Sequence, residues 1–358
     1  MLYSASWYES YSSSNGKTEM LFLQNHVLRL IVGLFCLFCF LTLDYRYLKR
    51  IAPQLLIMSI CLLFATKLYY LFSGHSWYKP ARWLYIGPVS LQTSDIARFS
   101  VIIYMAYYAD KKRNKIIDFQ LGLLPALTIL SIIMTLIIIQ PDYSTALMIG
   151  LIGIMILFIA GAQISQLSAA GAGALLIGIP VLLSREYRKQ RVLSFFGIGD
   201  NSEIGYQASQ SLISLGNGGV FGVGLGNSIE KNHFLPTPHT DFIFAIIGEE
   251  LGFIIGTVPV LTLFLFIFIR GIKIAKKCTD PFGVLLALGI AFNLVLYAFV
   301  NAAVVTGLFP VTGLPMPMIS YGGSGMVINL ALMGILLNIS QSRRSVGGKN
   351  GWSPAIYD

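Results

Sequence analysis

Long, almost unbroken runs of apolar residues alternate with short polar segments along most of this 358-residue chain. A membrane-spanning helix needs about 20 largely apolar residues. Because the runs are continuous rather than alternating, helices are favoured over the strands of a β-barrel. The pattern predicts an all-α, polytopic membrane bundle with nine spans, whose approximate cores are 26–43, 51–72, 96–109, 119–139, 145–162, 167–183, 241–269, 283–305 and 322–340.

The composition agrees with this pattern. Hydrophobic residues make up 55% of the chain and charged residues only 11%, whereas soluble domains carry about 25% charged residues. A soluble enzyme, a disordered chain and a collagen-like fibre are therefore excluded. The net charge is +9. In a membrane protein such an excess of Lys and Arg usually lies in the cytoplasmic loops. We therefore expect the basic residues to contact membrane lipids and not nucleic acid.

Basic residues in the short connections predict the orientation. Fourteen of the 25 Lys and Arg residues lie in 44–50, 110–115, 270–280 and the tail from residue 342, which places these segments in the cytoplasm. Nine spans then leave the N-terminus outside. Because the sequence there carries no signal peptide, we expect that a first span has been lost upstream and that Met1–Ser6 is its remnant.

The opposite face carries the longest polar stretch, residues 184–240, which we interpret as a large extracytoplasmic loop within a single transmembrane domain, 1–358. Its positive side chains include Arg191 and Lys231, and Arg82 precedes span 96–109 on the same face. These cations fit two roles, either anchoring to lipid phosphates or binding an anionic ligand at the outer leaflet.

The segment FLPTPHTDFIFAIIGEELG, residues 234–252, carries the strongest local signal. Thr240 is predicted to cap a helix that begins at Asp241. The helix dipole would keep the Asp241 carboxylate ionised, as a general base requires. The alternative is that Asp241 only takes part in capping.

Two adjacent carboxylates, Glu249 and Glu250, follow inside the apolar run. Such groups are costly in a membrane and call for a partner or a function. We predict a buried ion pair, with Lys67 as the candidate partner, over a proton relay.

A third cluster, GLFPVTGLPMPMISYGGSG at 307–325, contains too many prolines and glycines for a continuous helix. Irregular backbone at membrane depth must face protein or a water-filled cavity, so Ser320, Tyr321 and Ser324 are expected on a cavity wall. The segment QPD at 140–142 lies on the same outer face. The chain contains no Walker, dinucleotide or HExxH motif, so an outer-face reaction must draw its energy from the substrate.

These motifs, together with ARWLYIG and QTSD at 81–95 and YQASQSLISLGNGGVFGVGLG at 206–226, resemble the shape, elongation, division and sporulation (SEDS) family, which includes the FtsW and RodA proteins. The resemblance covers nearly the whole chain in order and spacing. It implies ten helices with both ends of the chain in the cytoplasm. It also implies peptidoglycan glycosyltransferase activity, in which lipid II is added to a glycan that is still attached to undecaprenyl diphosphate. The motif wording is closer to the division branch than to the elongation branch.

The resemblance also implies roles for residues and partners. Asp241 matches the family's essential aspartate and is the predicted catalytic base. Substrate-binding residues are predicted beside it and among the outer cations, namely Arg82, Arg191, Lys231, His239, Thr240, Ser320, Tyr321 and Ser324. The expected partners are a class B penicillin-binding protein and the regulators of division, in the cytoplasmic (inner) membrane and at the septum. The sequence requires no cofactor. Mg²⁺ or Mn²⁺ could help the protein's cations to neutralise the charge of the pyrophosphate, and the residues that would bind such a metal ion are unknown.

The sequence departs from the family at Thr237, where a glutamate is usual. Other functions stay open at this point. A lipid II flippase would make Glu249, Glu250 and Lys67 central and Asp241 peripheral. An elongation-type polymerase would keep the chemistry and change the setting, and a scaffold would not need Asp241 at all.

Overall fold

The computed structural model describes residues 2–13, 20–72, 82–86, 89–184, 186–196, 198, 203–231, 234–236 and 238–341. Within these ranges the regular secondary structure is helical apart from one antiparallel hairpin, β1 (Trp83–Ile86) and β2 (Val89–Gln92). Thr237 and the tail from residue 342 lie outside the described residues. The helices are α1 (Leu2–Ser13), α2 (Leu21–Thr42), α3 (Arg46–Phe72), α4 (Thr93–Lys111), α5 (Leu124–Ile139), α6 (Tyr143–Ile159), α7 (Ile164–Leu183), α8 (Glu186–Phe195), α9 (Glu203–Gly218), α10 (Ile243–Gly252), α11 (Val258–Lys277), α12 (Pro281–Val305) and α13 (Ser324–Gln341).

The predicted helical membrane fold is confirmed. Seven helical stretches in the described residues are long and apolar enough to cross a bilayer. Of the other two predicted spans, 145–162 corresponds to the shorter apolar helix α6. The remaining one, 96–109, lies in α4, which is less apolar because it also carries Asp95, Arg98, Asp110 and Lys111.

The predicted span 241–269 is interrupted near its middle. Helix α10 ends at Gly252, which has φ +77°, and a π-helical turn, Phe253–Thr257, leads into α11. The whole stretch Ile243–Lys277 has 35 residues and, as a straight helix, would be about 52 Å long, well beyond the roughly 30 Å of hydrocarbon.

The interruption is stabilised by backbone bonds from the glycine-rich segment 218–224. A β-carbon on Gly252 would lie 2.3 Å from the Gly222 nitrogen, so the two backbones approach as only glycine permits. The amides of Val223, Gly224, Phe253 and Ile254 donate to the carbonyls of Glu249, Glu250, Gly219 and Val220, respectively. Polar backbone groups freed at the break are thereby satisfied, as burial in lipid requires.

The chain divides into two compact units. The first unit comprises 1–31, 175–267 and 294–322, and its core is built on α10, where Phe242, Ile243 and Phe244 pack with Val305 and Met316. The second unit comprises 32–174, 268–293 and 323–358. Its buried side chains include Ile102, Met105, Ile133 and Met148, from α4, α5 and α6.

Candidate active site

Asp241 is the last residue but one of the approach segment, residues 234–242, in the first unit. The side chain is half-buried. Helix α10 begins two residues later, with Phe242 at the N-cap and no side-chain capping bond. The predicted cap by Thr240 on a helix starting at Asp241 is therefore wrong, because the chain stays irregular through Phe242. Asp241 immediately precedes the N-cap of α10, and the N-terminal end of a helix dipole is positive.

Asn301 of α12 holds the backbone at Asp241. Its side-chain Nδ2 donates to the carbonyl of Asp241 and to that of Leu314, both at 2.8 Å. Leu314 belongs to the proline–glycine loop, residues 306–323, which follows α12. The neighbouring Gly313 faces the carboxylate, since a β-carbon placed on it would lie 3.4 Å from Asp241 Oδ2. Sequence reasoning missed Asn301, one of two asparagines in the apolar run of α12.

The proline–glycine loop also contacts the approach segment at His239. The amide of Tyr321 donates to the His239 carbonyl at 2.8 Å, and the two rings meet edge to face with centroids 5.4 Å apart. Arg29 of α2 lies over the Tyr321 ring at 4.9 Å and donates to the Gly322 carbonyl at 3.3 Å. Phe22 packs on His239 with ring centroids 4.7 Å apart. The start of α2 thus braces both segments.

The predicted serines divide between the two units. Ser320 is buried and accepts a hydrogen bond from the Met316 amide at 2.8 Å, which closes a turn of the proline–glycine loop. Ser324 lies in the second unit, where it donates to Asp95 Oδ2 at 2.8 Å and accepts from the Gln92 amide at 2.9 Å. Ser320 is therefore the serine that lies with Tyr321 in the unit of Asp241.

Arg191, on α8, is also in the first unit. Its guanidinium donates to the Val311 carbonyl at 3.2 Å. Val311 is two residues from Gly313, which faces Asp241. Arg191 and Asp241 therefore contact the same short stretch of the proline–glycine loop.

Lys231 is used inside the protein. It is 6% exposed, and its ammonium lies 2.9 Å from Glu250 Oε1, 2.8 Å from Ser4 Oγ and 2.6 Å from the Gly226 carbonyl. The partner of Glu250 is thus Lys231, and the predicted partner Lys67 is wrong. These bonds also argue against the predicted contact of Lys231 with substrate.

Glu249 is satisfied by hydrogen bonds. Its carboxylate accepts from Ser214 at 2.9 Å, from Ser228 at 2.5 Å and from the amide of Ile229 at 3.0 Å. Close by, Glu230 is 6% exposed, and burial, reinforced by the charge of Glu249, raises the pKa of Glu230 above its ordinary 4.5. Within the described residues, the Glu230 Oε2 atom is buried without a hydrogen-bond partner.

The QPD segment forms a polar cluster in the second unit. Asp142 accepts from Ser94 at 3.1 Å and from Gln92 at 3.2 Å. Arg82 donates to the carbonyl of Pro141, whose φ of +30° is rare for a proline. Arg82 therefore supports the loop that carries Asp142.

The sequence did not indicate which residues would bind a metal ion. In the part of the chain that the structure describes, no group of three or more His, Cys, Asp or Glu side chains could hold a metal ion.

Known proteins resemble this chain over most of its length. A family model described as a cell cycle protein, FtsW/RodA/SpoVE, matches residues 1–345. A probable peptidoglycan glycosyltransferase FtsW of Geobacter sulfurreducens (strain DL-1 / KN400) is 40% identical over 299 residues, covering 83% of this chain and 79% of that protein. The probable peptidoglycan glycosyltransferase FtsW of Bacillus subtilis (strain 168) is 37% identical over 353 residues, covering 95% and 86%.

Solved structures share the fold. One, described as "Structural coordination of polymerization and crosslinking by a peptidoglycan synthase complex", has a TM-score of 0.74 at 24% identity and covers 96% of each chain. The rod shape determining protein RodA of Thermus thermophilus has a TM-score of 0.66 at 24% identity, covering 96% of this chain and 94% of that one.

Proposed function

Because the chain belongs to the FtsW/RodA/SpoVE family of multi-pass membrane proteins, a family of peptidoglycan glycosyltransferases as the sequence predicted, we propose that it polymerises lipid II at the outer face of the cytoplasmic membrane. The donor is a glycan strand that is still linked to undecaprenyl diphosphate. The acceptor is a new lipid II. Energy comes from the phosphate ester of the donor, so no nucleotide is needed.

Asp241 is the proposed general base. It takes the proton from the 4-hydroxyl of the acceptor's GlcNAc as that oxygen bonds to the anomeric carbon of the donor's MurNAc. The bond from this carbon to the diphosphate oxygen breaks, and undecaprenyl diphosphate leaves with the electron pair. A positioned base contributes about 10²–10⁴-fold to such a step.

The observation that carries the proposal is the setting of Asp241. Asp241 is half-buried, precedes the N-cap of α10, and has its Oδ2 beside Gly313 of the proline–glycine loop. Asn301, Tyr321 and Arg29 hold the surrounding backbone in place. A held carboxylate of this kind can act as a base without reorganising during the reaction.

The departing diphosphate needs positive charge near it. Arg191 is the first candidate, because its guanidinium contacts the same loop as Asp241. Arg82 was also predicted to bind substrate, and its bond to the Pro141 carbonyl gives it a structural role within the second unit. A divalent cation remains an expectation, to be tested by its removal.

The lipid tails need apolar surface beside the site. An apolar cavity of about 340 Å³ lies within the first unit, between α9, α10, α11 and α12. Phe244, one turn beyond Asp241, lines it, as do Phe299 and Ala302, which flank Asn301. We propose that it accommodates part of a tail.

The relatives support a proposal for the cellular setting and the partner. Those named FtsW favour the division branch, and hence a role at the septum with the division regulators. The solved peptidoglycan synthase complex joins polymerisation with crosslinking, which supports a class B penicillin-binding protein as partner.

The experiment is polymerisation of purified lipid II by the protein and its transpeptidase partner in vesicles. We expect glycan strands from the parent and none from Asp241→Ala or Asp241→Asn. Asp44→Asn is the control, because the exposed side chain of Asp44 accepts a bond from the nearby Arg46 amide. Normal strands from both Asp241 variants would remove the base assignment. Translocation of lipid II without polymer would favour the flippase.

A further inference from the structure

Asn301 lies on the last turns of α12 and is 1% exposed. An amide nitrogen carries two hydrogens, and both are used, one for the Asp241 carbonyl and one for the Leu314 carbonyl. Because a buried amide is costly unless it is hydrogen-bonded, these two bonds satisfy the nitrogen, whereas within the described residues Oδ1 is buried without a hydrogen-bond partner.

The two carbonyls belong to different irregular segments. Neither the approach segment nor the proline–glycine loop has helical bonds at these positions, so its buried carbonyls need donors from elsewhere. One side chain supplies both. Asn301 thereby fixes the distance between the backbone of Asp241 and Gly313, the neighbour of Leu314 that faces the carboxylate.

A second buried asparagine on α12 offers a comparison. Asn293 is 0% exposed, and within the described residues neither its Nδ2 nor its Oδ1 has a hydrogen-bond partner. The two residues share a helix and a degree of burial but differ in the bonds they make. A substitution at Asn293 therefore shows the effect of losing a buried amide. A substitution at Asn301 shows in addition the effect of losing the two bonds to the Asp241 and Leu314 carbonyls.

We propose that Asn301 is a positioning residue that sets where the carboxylate of Asp241 points. The proposal rests on the proposed function. Asn301 itself touches no substrate; it acts through the peptide of Asp241 and through the wall of the proline–glycine loop. A displacement of about 1 Å at a reacting group can lower the rate by about 10²-fold.

The test uses the purified protein with its transpeptidase partner and lipid II. Asn301→Leu removes both bonds, and Asn301→Asp removes the donor while adding a charge. We expect Asn301→Leu to lower kcat by about 10–100-fold with KM within about twofold. Asn293→Leu should keep the parent's kcat. Thermal unfolding in detergent checks each variant, and Asn301→Ser replaces Asn301→Leu if the latter does not fold.

The pH profile tests whether position 301 lies close enough to the base to affect its charge. Its acid limb in kcat/KM reports the pKa of the base in the free enzyme. A charge at position 301 would raise that pKa by repulsion, so Asn301→Asp should move the acid limb to higher pH. Partial unfolding lowers the active fraction but leaves the limb in place.

Two results would overturn the inference while leaving the proposed function intact: a kcat of Asn301→Leu within about threefold of the parent, or an acid limb that Asn301→Asp does not move. A parent protein that makes no polymer from lipid II would instead overturn the proposed function, and the inference with it.

Discussion

Replacing Lys231 with methionine tests whether the ammonium is a structural cation or a ligand for the substrate. Methionine keeps most of the side-chain length and removes the charge. The change leaves the carboxylate of Glu250, which is 1% exposed, without its ion-pair partner. It also leaves the Gly226 carbonyl without the ammonium donor.

The expected loss is large because the pair is buried. Removing one partner of a buried ion pair costs about 3–5 kcal/mol, mostly from the charge left behind. With an unfolding entropy of about 2.1 cal/mol/K per residue, that loss lowers the melting temperature of this chain by roughly 4–7 °C. Ser4, which also bonds Glu250, keeps its hydrogen bond to the carboxylate and reduces the loss only in part.

A double variant completes the experiment. Lys231→Met with Glu250→Gln removes both charges, and we expect it to recover at least half of the lost stability. The measurements are thermal unfolding in detergent and polymerisation of lipid II. A structural Lys231 predicts that the double variant polymerises at a rate within about threefold of the parent. A double variant that regains stability and makes no polymer would refute the reasoning, as would a single variant that melts like the parent.

Three further predictions concern the cations and the buried carboxylates. Arg191→Ala should lower turnover about 10-fold. Lys189→Ala, which removes an exposed ion pair with Glu186 at 3.8 Å, should leave turnover unchanged. Equal rates for the two variants would remove Arg191 from the site. Because the pKa of Glu230 is raised in the folded protein, stability is lost as pH rises above the ordinary value of 4.5. Glu230→Gln should therefore melt higher than the parent at pH 8 and like it near pH 4, and a gap that stays constant with pH would contradict this. If a divalent cation binds the departing diphosphate together with the protein's cations, EDTA should lower the polymerisation rate and added Mg²⁺ should restore it. An unchanged rate in EDTA would show that the protein's cations suffice.

The sequence predicted the helical framework well because lipid imposes one simple rule on long apolar runs. It did not predict the interruption at Gly252. The letters around it, LGFIIG, remain apolar, and the bonds that satisfy the break come from Gly219–Gly224, about 30 residues earlier. A hydropathy pattern contains no information on such pairing.

In the first unit, the ion-pair and hydrogen-bond partners of the polar side chains were harder to predict than the importance of those side chains. Glu250 was correctly expected to need a cation, but Lys231 reaches it from a loop and Ser4 from α1, and distance along the chain does not indicate either. Asn301 was missed because an asparagine in an apolar run, with no motif around it, does not reveal which groups it bonds. Asp241, in contrast, was singled out because proline, threonine and a following apolar run mark a helix entrance; the helix starts two residues later than predicted.

The most direct test of the account separates binding from chemistry at Asp241. Lipid II affinity and the rate of strand elongation are measured for the parent and for Asp241→Asn, which keeps the shape of the side chain and loses the basic oxygen. The account predicts a dissociation constant within about threefold of the parent's, with elongation slower by about 10²–10⁴-fold. Elongation at the parent's rate, or a loss of rate explained wholly by weaker binding, would contradict a general base at this position.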